Sequence, residues 1–121
     1  MSRATINPIK IKKHSAFADA VLNSALFTAI DATDGAEVVL NHHDERTLVI
    51  VQNTATAAGT VTFKAGNGIQ GVADETCQVA GSSTTFIVPE SGRFKVVSGA
   101  DKGKLIITGP ETIKVAVIQL P

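Results

Sequence analysis

Tryptophan and tyrosine are absent from the sequence, and its aromatic content amounts to five phenylalanines. Sugar-binding sandwiches present an exposed aromatic platform, and binders of single-stranded nucleic acid stack bases on aromatic rings. Both classes lose their usual means of recognition here. The single cysteine, Cys77, allows no intrachain disulfide and suits a protein folded in a reducing cytosol. It reads as a small buried hydrophobe rather than a nucleophile. No run approaches the ~18 apolar residues of a membrane helix. The stretch AFADAVLNSALFTAI (16–30) follows KIKK like a signal-peptide core, but Asp19 and Asn23 interrupt it. It therefore reads as part of a soluble folded protein.

Acid is absent from the first thirteen residues, which carry Arg3, Lys10, Lys12 and Lys13. The remainder holds seven bases against eleven acids, a net charge of −4. A basic arm on an acidic body points to an acidic partner, either another protein or a neighbouring copy. Nucleic acid fits less well, with few arginines and no Trp or Tyr.

At 121 residues the chain is one domain by length. From residue 25 onward, short β-type runs alternate with turn residues: LFTAI (26–30), AEVVL (36–40), RTLVIVQN (46–53), TVTFKA (60–65), TCQVA (76–80), TTFIV (84–88), RFKVV (93–97), KLIIT (104–108) and IKVAVIQL (113–120). The separators carry Gly, Pro, Asp or Asn, and Asp34-Gly35 predicts a tight hairpin turn between the first two runs. The pattern predicts an all-β sandwich, jelly-roll-like or immunoglobulin-like, of 8–9 short strands over residues 25–121. Residues 1–24 read as an extended N-terminal arm followed by a short helix over 15–25 capped by Ser15.

KAGNGIQG (64–71) contains the dinucleotide fingerprint spacing at Gly66, Gly68 and Gly71. A pyrophosphate site needs a helix after that loop and further βα units. Strands follow instead, so the glycines are expected to turn the chain, with Gly66-Asn67-Gly68 in left-handed conformations and Ile69 and Val72 tucked against the sheet edge. HHDE (His42 to Glu45) offers metal-ligand types, but neighbours in an extended segment face opposite ways, and a site would need help from His14. A solvated loop is the simpler reading. DATDG (31–35) lacks the alternate oxygen ligands of a calcium loop. SGADKGK (98–104) lacks the first glycine and the Ser/Thr of a phosphate loop and reads as a surface turn. Ser82, Ser83, Ser91 and Ser98 have no downstream histidine to complete a triad. The residues thus assign no catalytic group, no cofactor and no metal.

LVIV (48–51), LII (105–107) and VAVI (115–118) are apolar on both strand faces, whereas a strand in a small sandwich wets one face. Something has to cover the second face. The arm is one candidate for a patch of it, and another subunit of a symmetric oligomer is the expected one.

The blocks KAGNGIQG, ESGRFK (90–95) and GADKGKLIITGP (99–110), within residues 47–110, resemble head decoration, or cement, proteins encoded among tailed-phage capsid genes. The resemblance implies a homo-oligomeric sandwich, often a trimer. Such a protein is made in the bacterial cytoplasm and binds the major capsid protein on the outer surface of the head. The basic arm, Arg3, Lys10, Lys12 and Lys13, matches the clamp such proteins extend. A tail or head-fibre component and a carbohydrate-binding module are the alternative readings.

Overall fold

The computed structural model describes residues 3–11, 24–40, 46–69, 71–89 and 91–120. In chain order the strands are β1 (Ala4–Ile6), β2 (Ile9–Lys10), β3 (Thr28–Ala29), β4 (Ala36–Val39), β5 (Thr47–Asn53), β6 (Gly59–Phe63), β7 (Glu75–Val79), β8 (Thr84–Ile87), β9 (Lys104–Thr108) and β10 (Ile113–Gln119). A single helical turn, α1 (Ser91–Phe94), and a 3-10 turn at Ser24–Leu26 interrupt them. One sheet has the order β1-β4-β9-β6-β7, the other β2-β10-β5-β8 with β3 also paired to β10. The fold is the all-β sandwich that the turn-separated runs predict.

Period-two patterning places the core between the sheets. Thr47, Val49, Val51 and Asn53 of β5 stand opposite Gln119, Val117, Val115 and Ile113 of β10, and all eight are buried. From the facing sheet, Ala36 and Val38 pair with Ile107 and Leu105. Val61, Phe63 and Val79 complete that inner face.

The opposite face of the second sheet explains the apolar runs. Ile50, Ala116 and Ile118 point away from the core yet are 5%, 1% and 4% exposed. Ile9, Ile11, Leu26, Phe27 and Leu48 pack against them as a second cluster. Apart from Leu48, which belongs to β5 itself, the cover comes from residues of the same chain that precede β4, and the expectation that LVIV and VAVI require a second subunit is corrected. Burying Ile50 and Ile118 this way contributes roughly 1.5–3 kcal/mol each.

Strands β1 and β2 were not legible as strands, and they tie the N-terminal segment into both sheets. Strand β1 pairs in parallel with β4, and β2 in parallel with β10, while the other strand pairs are antiparallel. Pro8 separates the two, and its missing N–H and fixed φ end one ladder where the chain crosses to the other sheet. Ile6 enters the core at 3% exposure. Arg3 turns back onto the body: its guanidinium lies 3.1 Å from Asp101 and 3.7 Å from Glu37. Lys104 bonds the same two carboxylates at 3.8 and 2.9 Å. Most of the expected helix over 15–25 lies outside the described residues.

Two local expectations are corrected. RFKVV is not a strand: Arg93 and Phe94 end α1, and Lys95 forms an isolated bridge to Leu105. The helical turn lets Phe94 drop into the core, where its ring meets Phe63 edge-on at 6.0 Å with the Arg93 guanidinium 4.8 Å from its centroid. Alternation alone cannot distinguish that turn from a strand. DATDG does turn the chain, with Gly35 at φ +83° and Asp31 Oδ1 accepting from the Thr33 and Asp34 N–H groups at 2.9 and 2.8 Å. The flanking strands, however, enter different sheets, so the turn is a corner of the sandwich and not a hairpin between paired strands.

Candidate functional site

The loop between β6 and β7, residues 64–74, is built by contacts on both sides of its neck. Asp74 receives the Ala65 N–H at 2.7 Å and the Lys64 ammonium at 2.8 Å. The Gly66 N–H donates to Arg93 O at 2.8 Å. Asn67 donates to Ser98 O and Oγ at 3.0 and 3.1 Å and accepts the Val97 N–H at 2.8 Å. The glycines serve close approach, since neither Gly66 nor Gly71 has a positive φ. A Cβ on Gly66 would overlap the Lys95 carbonyl oxygen, and one on Gly71 the Gly66 carbonyl oxygen. This replaces the left-handed turn expected at Gly66-Asn67-Gly68.

Backbone fills the inside of the loop, and its apolar side chains are left outside. Ile69 is fully exposed and Val72 is 86% exposed. The expectation that both tuck against the sheet edge is thus overturned. Bare aliphatic side chains on a loop with a braced neck suit a contact surface, because the bracing limits the ordering that opposes association.

Both Asp74 bonds require the carboxylate. The Ala65 N–H first, and the Lys64 hydrogen bond second, hold its pKa below the ordinary 3.8. A carboxyl depressed in the folded state stabilises the fold above its unfolded pKa, and the contribution is lost as pH falls through the lower folded value. The Ala65 amide resonance is therefore expected to titrate with a midpoint below 3.8, and Asp74→Asn to abolish that step. A midpoint at or above 3.8 would remove the latch.

Beside the loop, β7 ends one sheet and β8 ends the other, and the sandwich opens between them. The opening is a cleft of about 400 Å³ walled mainly by Phe63, Cys77, Ile87, Val88 and Phe94. Glu75 and Arg93 stand at its rim, 3.4 Å apart. Val88 is 64% exposed, and Phe86, on the outer face of β8, 62%. Phe63 and Glu75 adjoin the two ends of the loop, so the exposed bend and the cleft lie at the same end of the molecule. The period-two pattern of TVTFKA and TCQVA gives the cleft's strands, whereas the exposure of Ile69 and Val72 had no signal in the pattern.

Of the basic residues expected to meet a partner, Arg3 is engaged by Asp101 and Glu37. Lys10 ends β2 with an exposed side chain, and Lys12 and Lys13 lie outside the described residues. His14 and the 42–45 run also lie outside them. Among the described residues, no three His, Cys, Asp or Glu side chains gather as metal ligands, and no helix is long and apolar enough to cross a membrane. Cys77 lines the cleft half-buried and unpaired.

No family model, no curated protein and no solved structure matches the chain. Fold and surface together define a class: an all-β sandwich with an exposed apolar loop beside an apolar cleft.

Proposed function

We propose that the chain is a non-enzymatic virion structural protein that binds the outside of a phage head and stabilises the assembled shell. The resemblance of residues 47–110 to head decoration proteins suggests this role. The observation that carries the shell-binding mode is the placement of Lys10. Ile9 packs on the outer apolar cluster and pins β2 to β10, while the next residue, Lys10, is exposed at the strand's end. The sequence then continues to Lys12 and Lys13. The start of the basic stretch is thus anchored to a sheet edge, which supports charge complementarity to an acidic capsid surface. Arg3 drops out of that surface because the domain's own acids hold it.

The mechanism is mass action. A protein that binds the assembled shell and not free subunits stabilises assembly in proportion to that difference in affinity. Reversing the charge of the basic stretch with Lys10→Glu, Lys12→Glu and Lys13→Glu is expected to weaken co-sedimentation with empty shells roughly tenfold or more at low salt. It should also flatten the salt dependence shown by the unaltered protein. Binding that survives the triple reversal unchanged removes the basic stretch from the mechanism.

A further inference from the structure

We propose that two copies of this chain dock reciprocally, each inserting the Ile69 and Val72 side chains of its 64–74 loop into the other's cleft between β7 and β8. The chain carries both halves of the contact. The bend is bare, with Ile69 fully and Val72 86% exposed, so neither side chain occupies the cleft of its own molecule. The cleft, about 400 Å³ and walled by phenylalanine, isoleucine and valine, is larger than an isoleucine and a valine side chain together. Because bend and cleft lie at one end of the molecule, a two-fold axis there lets both insertions form at once. That is the isologous geometry in which one patch meets its own copy.

Charge and area agree with this occupant. Residues 65–73 contain no ionisable side chain, Lys64 is paired with Asp74, and Glu75 with Arg93, so among the described residues the charges beside the bend and at the rim are already paired. Ile69, Val72, Val88 and Val97 are all 49% or more exposed. An apolar side chain of this kind withdraws roughly 60–120 Å² from water on burial, so the four supply roughly 240–480 Å² per copy. A stable complex buries about 800 Å² per partner, a little over half of it apolar. The loop's neck is already fixed by Asn67, Asp74 and the Gly66 N–H, which limits what ordering has to be lost on contact.

The docking does not depend on shell binding, and purified protein alone tests it. Sedimentation is expected to show a dimer of the 12.5 kDa chain. Ile69→Asp with Val72→Asp, two exposed positions outside the core, is expected to raise the dissociation constant roughly thirtyfold or more. As a second arm, Ile69→Cys brings a thiol to the partner's Cys77, so mild oxidation is expected to give a reducible covalent dimer, and Lys102→Cys none. A monomer at high micromolar concentration, association that survives Ile69→Asp with Val72→Asp, or a ladder of larger covalent species would overturn reciprocal docking.

Discussion

Replacing Asn53 by leucine is expected to lower stability by about 4–6 kcal/mol, a large part of what a domain of this size has to lose. Asn53 sits at the end of β5 with 1% exposure and bridges parts of the chain that no strand ladder joins. Its Nδ2 donates to Ala57 O at 2.9 Å and to Val79 O, on β7 of the opposite sheet, at 3.1 Å. Its Oδ1 accepts the Ala55 N–H at 3.0 Å. Leucine matches the volume and makes none of these bonds. Each loss removes about 1 kcal/mol net, and a carbonyl left buried without a partner adds its desolvation cost of about 1–3 kcal/mol. Asn53→Asp tests the same bridge from the other side: Oδ1 still accepts from Ala55, but the new oxygen faces two carbonyls where an amide donated. Urea titrations followed by far-ultraviolet circular dichroism measure both, since the chain has no tryptophan to report by fluorescence. A loss below about 1 kcal/mol for the leucine variant would mean that water replaces the amide at this site.

Asn53 also marks where sequence reading stops. Strands β4 to β10 were legible because one inward residue in two is apolar and Gly, Pro or Asp closes each run. Patterning names the faces of a strand but not its neighbours, so it could not tell that Ile50, Ala116 and Ile118 lie under Ile9, Ile11, Leu26 and Phe27. The N-terminal strands escaped for a related reason: three residues and two residues on either side of Pro8 are too short to show a period. At the candidate site, the glycine spacing was visible and its nucleotide reading was rejected on the strands that follow. The steric role of Gly66 and Gly71 depends on the Lys95 carbonyl, distant in sequence. The outward turn of Ile69 and Val72 was illegible because apolar residues in a loop look the same whether they tuck in or stand out.

Deletion of residues 1–11 is expected to leave a chain that fails to fold to a soluble domain. It removes two strands, not a dispensable arm. Ile6 alone fills a core position at 3% exposure, and truncating such a side chain to alanine costs about 2–5 kcal/mol. Loss of Ile9 and Ile11 also uncovers Ile118 and Ile50, and loss of β1 and β2 bares the paired edges of β4 and β10 as templates for aggregation. The Ala4 N–H to Gly35 and Ile11 N–H to Gln119 bonds go with them. Point variants separate the two roles of the segment. Ile6→Ala should lower the urea midpoint by the amount its cavity dictates, whereas Lys10→Glu, on an exposed side chain, should stay within about 0.5 kcal/mol of the unaltered protein. Failure of the truncated chain to bind a shell therefore carries no information about an arm contact. A soluble, cooperatively unfolding chain lacking residues 1–11 would show that β1 and β2 decorate the sandwich without closing it, and only then would truncation become a fair test of the basic stretch.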